Sequence, residues 1–155
     1  MSTTVVKIAA PEAGERIDLV GLSRDQMESL FADMGLPKFR VKQVWHWIYH
    51  HGVRDFTEMT TIAGGLQREM ADKFVISRPG IATEQTSVDG TRKWLMNFPD
   101  GKLAEAVHIP EDDRGAVCIS SQVGCTLACK FCHTGTQRMV RNLTPAEIVG
   151  QFMLA

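Results

Sequence analysis

Cys125-Thr-Leu-Ala-Cys129-Lys-Phe-Cys132 carries three of the four cysteines of this chain in the spacing C-x3-C-x2-C. Folded as a loop, that spacing turns three sulfurs towards one point. Thiolates gathered so closely repel one another unless a metal or cluster neutralises them, which indicates soft-metal chemistry. A [4Fe–4S] cluster is usually held by four thiolates, so three leave one iron open to a further ligand. Other readings fit less well. Small core cysteines need no such clustering. A structural zinc takes two separated ligand pairs, and the sequence has no second pair. Cys129-Lys-Phe-Cys132-His133 also spells the c-type haem attachment pattern C-x-x-C-H, but that attachment happens outside the cytoplasm and no export signal is found.

A chain of 155 residues predicts one domain or two small ones. Its 44% apolar and 23% charged content suits a soluble globular protein. The start, Met1 to Ala10, holds too short an apolar run for a signal peptide. No run approaches the ~20 apolar residues of a membrane span. The expectation is a cytoplasmic protein without a membrane partner, in which clustered cysteines are ligands rather than a disulfide framework. A net charge of −1 announces no global nucleic-acid footprint, so any RNA site has to be a local patch.

Upstream of the cysteines the pattern is first helical. Residues 1–20 carry Pro11, Gly14 and little periodicity, and read as a mobile tail. Ser23 caps a helix, Gln26 completes a capping box, and Met27, Leu30, Phe31 and Met34 form its apolar face. Gly35 and Pro37 stop it. The segment from Lys38 to Arg54 has four basic residues (Lys38, Arg40, Lys42 and Arg54), three histidines, interleaved Phe39, Trp45, Trp47 and Tyr49, and no acid. As a helix it buries Val41, Val44, Trp45 and Ile48. Its other side is either a solvated basic face or an RNA contact, in which Lys38, Arg40 and Lys42 meet phosphate and aromatics stack on unpaired bases. His46 and His50 stand at i, i+4, but without a nearby carboxylate or cysteine they read as surface histidines. Further helix is predicted over 57–76, with Ile62, Leu66, Met70 and Phe74 inward and Gly64-Gly65 weakening its start. Arg78-Pro79-Gly80 marks a domain boundary, which leaves 21–80 as a helical accessory domain.

Beyond it the period becomes two. Ile81–Val88 and Thr91–Phe98 flank Asp89-Gly90, a type I′ hairpin signal. Pro99-Asp100-Gly101 turns into a strand over 102–109, and Pro110 to Gly115 turns again. Residues 81–115 form a β-hairpin connector, and a strand over 116–121 feeds the cysteine loop. Thr144-Pro-Ala-Glu147 opens a helix that runs to Ala155. Gln137-Arg138-Met139-Val140 carries no assignment.

Alternation puts Glu105 on one face with Leu103, Val107 and Ile109, the only polar residue there. A carboxylate on a buried face is partly desolvated, which moves it towards general-base range. It is equally a charge that blocks edge pairing. Cys118 reads by position as core filler first, with a fourth cluster ligand or a separate reactive thiol as alternatives.

Glu105-Ala-Val-His-Ile-Pro-Glu-Asp-Asp-Arg114, Cys118-Ile-Ser-Ser-Gln-Val-Gly-Cys125, the triple cysteine and Arg141-Asn-Leu143 together resemble the radical S-adenosylmethionine (SAM) RNA adenine methyltransferases, the dual-specificity RlmN family and its antibiotic-resistance relative Cfr. Phe39-Arg40, Gln43 and Trp47-Ile-Tyr49 are similar to that family's N-terminal helical domain. The resemblance runs from about residue 17 onwards. It implies methylation of carbon 2 of an adenosine in 23S rRNA and in tRNA. It implies a [4Fe–4S] cluster on Cys125, Cys129 and Cys132 beside Phe131, with SAM on the open iron and an electron donor such as flavodoxin, in a monomer. Glu105 resembles the proton acceptor, and Cys118 the thiol that resolves a protein–RNA crosslink through a transient disulfide. The implied fold is α+β: a small helical domain and antiparallel hairpins leading into 116–155, the first βα unit of a truncated partial (βα)6 barrel of about six units. The family's methyl-carrying cysteine has no counterpart here, so the chain is expected not to methylate by itself. Two other functions stay open: a metal-stabilised RNA-binding module without catalysis, and an electron-transfer Fe–S protein.

Overall fold

A computed structural model describes residues 16–127, 129–130 and 134–155. Phe131, Cys132 and the first fifteen residues of the predicted tail lie outside the described residues. The chain divides into two compact units, one ending at Ile76 and the other beginning at Ser77. No helix among the described residues is long and apolar enough to cross a membrane.

The first unit corrects the end of the predicted tail. Leu19 and Val20 are buried and need a core. Their strand, β1 (Ile17–Asp18), runs parallel to β2 (Phe74–Val75), and the Leu19 N–H donates to the Val75 carbonyl at 2.9 Å. The capping box forms as the spacing predicts. Gln26 N–H donates to Ser23 Oγ and Ser23 N–H to Gln26 Oε1, opening α1 (Arg24–Asp33). Gly35, at φ +70°, ends that helix in the left-handed region. Helix α2 (Phe39–Tyr49) buries Val41, Val44 and Ile48. Trp45, predicted to be buried, is only half-buried, with the Arg24 guanidinium over its ring at 5.0 Å. A short turn at Phe56–Glu58 precedes α3 (Gly64–Lys73). The helix predicted to carry Phe74 stops one residue earlier, and Phe74 enters β2.

The second unit is built on four antiparallel strands: β3 (Gly80–Thr86), β4 (Arg92–Asn97), β5 (Leu103–Pro110) and β6 (Gly115–Cys118), paired in that order. Both hairpins close with one kind of turn. Gly90 N–H donates to the Ser87 carbonyl and Ser87 N–H to the Thr91 carbonyl; Gly101, Phe98 and Lys102 repeat the pattern. Gly90 (φ +83°) and Gly101 (φ +75°) take the left-handed position. In each turn the aspartate before the glycine accepts the N–H two residues on, at 3.0 Å. These are three-residue loops, so the two-residue type I′ turn predicted at Asp89-Gly90 is replaced by a turn with a glycine bulge.

The strand predicted over 116–121 as the start of a barrel ends at Cys118 and is the antiparallel neighbour of β5. The reason is connection length. The Glu111–Arg114 turn is short, with Glu111 N–H bonded to the Arg114 carbonyl, and a parallel neighbour needs a crossover of about a dozen residues. The chain then forms β7 (Gln122–Val123), paired with β8 (Arg141–Asn142), and ends in α4 (Pro145–Leu154) behind the predicted Thr144–Glu147 capping box. Ile119 and Leu154 pack on Trp94, Met96 and Ala106, and Ile148 packs on the cluster of Phe98, Val123 and Leu143. Among the described residues, one face of the sheet is thereby closed and the other is open.

Candidate active site: an open sheet face at the root of the cysteine loop

Directly paired residues of an antiparallel sheet point to the same side. Gln85, Lys93, Val107 and Cys118 form one such row, and Thr83, Leu95 and Glu105 the next. Both rows lie on the open face. The structure thus brings Glu105 and Cys118 onto one surface, in the diagonal relation that separates neighbours by about 7–8 Å. Thr83, Gln85, Lys93, Leu95 and Glu105 line a shallow concavity there. Glu105 Oε1 lies 3.2 Å from Lys93 Nζ.

Two sequence expectations are corrected at this point. The face of Leu103, Glu105, Val107 and Ile109 is not the buried one: Leu103 is 42% and Ile109 44% exposed, whereas Ala104 and Ala106 are buried. Alternation marks two faces but does not say which one closes. Trp94 and Met96 on β4 decide it, since their side of the sheet takes the core. Glu105 is therefore exposed and ion-paired rather than desolvated. Cys118 is likewise an exposed free thiol, not core filler.

After Cys118 the backbone is held by a side chain. Ser120 N–H donates to Gln151 Oε1 at 3.0 Å, and Gln151 Nε2 donates to the Ser120 carbonyl at 2.9 Å and to the Glu147 carbonyl at 3.1 Å. Gln151 is fully buried. Its amide does for Ser120 what a neighbouring strand would do, which is why the chain stays extended where β6 has ended. Ser120 Oγ donates to the Glu105 carbonyl at 2.8 Å, tying the loop's root to β5.

The cysteine loop is braced by the segment that carried no assignment. Cys125 N–H donates to the Gln137 carbonyl at 3.2 Å, and Val140 N–H to the Val123 carbonyl at 2.9 Å. Gly124 sits at φ +76°, and a Cβ there would lie 2.2 Å from the Arg138 carbonyl oxygen. A Cβ on Gly135 would lie 2.6 Å from the Cys129 carbonyl oxygen. Cys125 and Cys129 are free, half-buried thiols, and Leu127 N–H donates to Cys125 Sγ at 3.4 Å. Two soft donors on a tightly packed loop, one with an N–H on its sulfur, fit the donor chemistry of an iron–sulfur cluster. Because Cys132 lies outside the described residues, no group of three metal-ligating side chains comes together among those described.

Arg141 fastens this loop to its surroundings. Its guanidinium bonds Glu147 through both terminal nitrogens at 2.8 Å and Asp100 through Nε at 2.7 Å. The Arg141 hydrogen bond holds the Asp100 carboxyl down at about 2 and also holds Glu147 below the usual glutamate range, while the two acids raise Arg141. One residue thus joins the β4–β5 turn, β8 and the first turn of α4. Sequence reading missed Gln151, Gly135 and this role of Arg141. The available signals were a glutamine inside the apolar stripe of α4 and isolated glycines beside the cysteines.

In the first unit, Lys38, the N-cap residue of α2, and Lys42 on that helix are exposed. Lys38 meets Glu28 of α1 at 3.3 Å, an acid absent from the segment itself. Arg40 is half-buried, bonds Gln43 Oε1 at 2.6 Å and stacks on Phe39, which is 57% exposed. Gln43 and Trp47 both donate to Thr61 Oγ1.

Residues 17–76 match the family described as "Ribosomal RNA large subunit methyltransferase N-terminal domain". The chain is 56% identical over 155 residues to a dual-specificity RNA methyltransferase RlmN of Rhodospirillum rubrum, covering 100% of this chain and 36% of that protein. It is 63% identical over 152 residues to the RlmN of Gluconobacter oxydans, covering 95% of this chain and 37% of the relative. The crystal structure of a radical SAM methyltransferase from Sphaerobacter thermophilus superposes with a TM-score of 0.81 at 34% identity, over 90% of this chain and 41% of that one. The chain therefore spans little more than a third of the length of these curated relatives.

Proposed function

We propose, on the premise that the chain belongs to the RlmN family of dual-specificity RNA methyltransferases it matches, that this protein acts in radical-SAM methylation of carbon 2 of adenosine in 23S rRNA and in tRNA. The observation that carries the reading is the convergence of Glu105 and Cys118 on one open sheet face at the root of the cysteine loop.

In this reading Cys125, Cys129 and Cys132 hold a [4Fe–4S] cluster, with Phe131 beside it. Bound there with SAM, the cluster supplies the one-electron chemistry needed because carbon 2 of adenine is electron-poor and not nucleophilic. The chain's own residues do the rest. The concavity beside Glu105 receives the base. The Glu105 carboxylate takes the proton of carbon 2 as general base. The Cys118 thiol, exposed beside it, attacks the sulfur of the protein–RNA link, forming a disulfide with the family's methyl-carrying cysteine while the sulfur–carbon bond to RNA breaks and the carbon keeps the electron pair and takes a proton. Lys38 and Lys42 contact RNA phosphate, with Arg40 and Phe39 as a stacked platform. The extended segment after Cys118, through the cysteine loop to α4, is the start of the barrel, the four-stranded sheet its connector and the helical unit its RNA-binding accessory domain. An electron donor such as flavodoxin supplies reducing equivalents to a cytoplasmic monomer.

Anaerobic reconstitution tests this. Iron and sulfide should bind with a broad absorbance at the blue end of the visible. Cys125→Ala, Cys129→Ala or Cys132→Ala should abolish it, and Cys118→Ala should leave it intact. Loss of the cluster in Cys118→Ala would mean four-cysteine ligation and end the SAM-site reading. Zinc in place of iron would favour a non-catalytic RNA-binding module. In the full-length protein, Glu105→Gln should abolish formation of 2-methyladenosine while RNA binding persists.

A further inference from the structure

We infer that Lys93 is a positioning residue that holds the Glu105 carboxylate in place over the open sheet face; this rests on the reading of Glu105 as the proton acceptor. Lys93 Nζ lies 3.2 Å from Glu105 Oε1, and the two side chains are 45% and 43% exposed. An ion pair this open to water contributes little to stability, so holding the fold together does not account for it. Its position does. Lys93 stands between Gln85 and Val107 in its own row, both neutral, and reaches diagonally to Glu105 in the next. The neighbours of Glu105 in its row are Leu95 and Thr83. The only other titratable group in these two rows is Cys118. Among the described residues paired onto these rows, Lys93 is the one cation.

A glutamate on an exposed strand face has three rotatable bonds, and at 43% exposure packing restricts the Glu105 side chain only in part. A general base works only when its oxygen is held within about 3 Å of the proton it takes, and a misplacement of about 1 Å costs orders of magnitude in rate. The cross-strand cation supplies that restraint without filling the concavity, because the lysine approaches along the sheet from the neighbouring strand. The other ion pairs of this unit do not serve the face. Arg92–Glu84 lies on the side of Trp94, Arg114–Glu111 spans the turn between β5 and β6, and Arg141 binds the β4–β5 turn and the helix.

Two measurements test the assignment. A zero-length carbodiimide should join Lys93 to Glu105 in the folded chain, seen as a linked peptide by mass spectrometry, and the link should vanish in Lys93→Arg. In the full-length, anaerobically reconstituted protein, Lys93→Met should lower kcat for 2-methyladenosine formation at least about tenfold, within the usual contribution of a placed general base. The KM for RNA should stay within about twofold, and Lys93→Arg should restore most of the loss, because arginine keeps the charge. A raised KM with unchanged kcat would make Lys93 an RNA contact and overturn the proposal, as would an unaffected Lys93→Met. A missing crosslink in an active wild-type protein would remove Lys93 alone. Absent methylation by a cluster-loaded wild type would instead remove the proton-acceptor reading, and this role with it, even where the crosslink forms.

Discussion

Replacing Gln151 by Met tests whether one buried side chain keeps the root of the cysteine loop extended. The two residues have nearly equal volume, so the substitution removes hydrogen bonds without opening a large cavity. It takes away both partners of the Ser120 backbone, at 3.0 and 2.9 Å. An unpaired buried donor or acceptor costs about 1–3 kcal/mol. Ser120 is half-buried rather than sealed, so the lower end applies to each group, giving about 2 kcal/mol for the two. A unit the size of Ser77–Ala155 has a total stability of about 4–12 kcal/mol, so the loss is a large fraction of it. With a urea slope of about 1–1.5 kcal/mol/M, the midpoint should fall by about 1.3–2 M. Trp94, buried in this unit, reports the transition once Trp45 and Trp47 are changed to Phe. Gln151→Glu should do no better, since a carboxylate cannot donate to the Ser120 carbonyl and brings a charge into a buried site. A midpoint shift below about 0.5 M in Gln151→Met would show that water replaces the amide and that Ser120 does not depend on α4.

Acid should loosen the same unit through Arg141. Asp100 and Glu147 have folded values lowered from 3.8 and 4.5, Asp100 to about 2, so their contribution is complete above about pH 4.5 and is lost as pH falls towards 2. Unfolding midpoints measured across that window should decline in the wild type and flatten in Arg141→Met. Gly124→Ala, with a Cβ 2.2 Å from the Arg138 carbonyl oxygen, and Gly135→Ala, with one 2.6 Å from that of Cys129, should lower iron uptake on reconstitution while the strand signal in circular dichroism persists; full uptake would show that the loop tolerates both. Lys38→Ala with Lys42→Ala should weaken RNA binding and reduce its salt slope by about one unit for each phosphate no longer neutralised; an unchanged slope would leave α2 as a solvated face. Glu28→Gln, which frees Lys38 from its 3.3 Å partner, should tighten binding in the same assay.

Local chemistry was legible in the sequence wherever it is local in the fold. The capping boxes at Ser23 and Thr144 and the left-handed glycine at Gly35 follow from spacings of a few residues, and the structure forms all three. The repeated Asp-Gly turns were visible as turns, but not as three-residue loops, because the distinction lies in which carbonyl the glycine N–H reaches across the hairpin. What stayed hidden depends on partners far along the chain. Gln151 meets Ser120 across 31 positions and Arg141 meets Asp100 across 41, and no local pattern announces either.

The placement of Glu105 shows how far period-two reading reaches. It assigned Glu105 correctly to the side of Leu103, Val107 and Ile109, and it assigned that side wrongly to the core. Which face closes is a property of the whole sheet. Trp94 and Met96 on β4, joined by Ile119 and Leu154, concentrate more apolar volume on one side than Leu95, Val107 and Leu103 do on the other. The consequence for the site is favourable. In the proposed function a carboxylate on a closed face would be unable to meet a nucleobase, and a thiol in the core would be unable to reach a crosslink. On the open face Glu105, Cys118 and Lys93 are all exposed, and Ser120, bonded to Glu105 on one side and to Gln151 on the other, passes their register on to the cysteine loop.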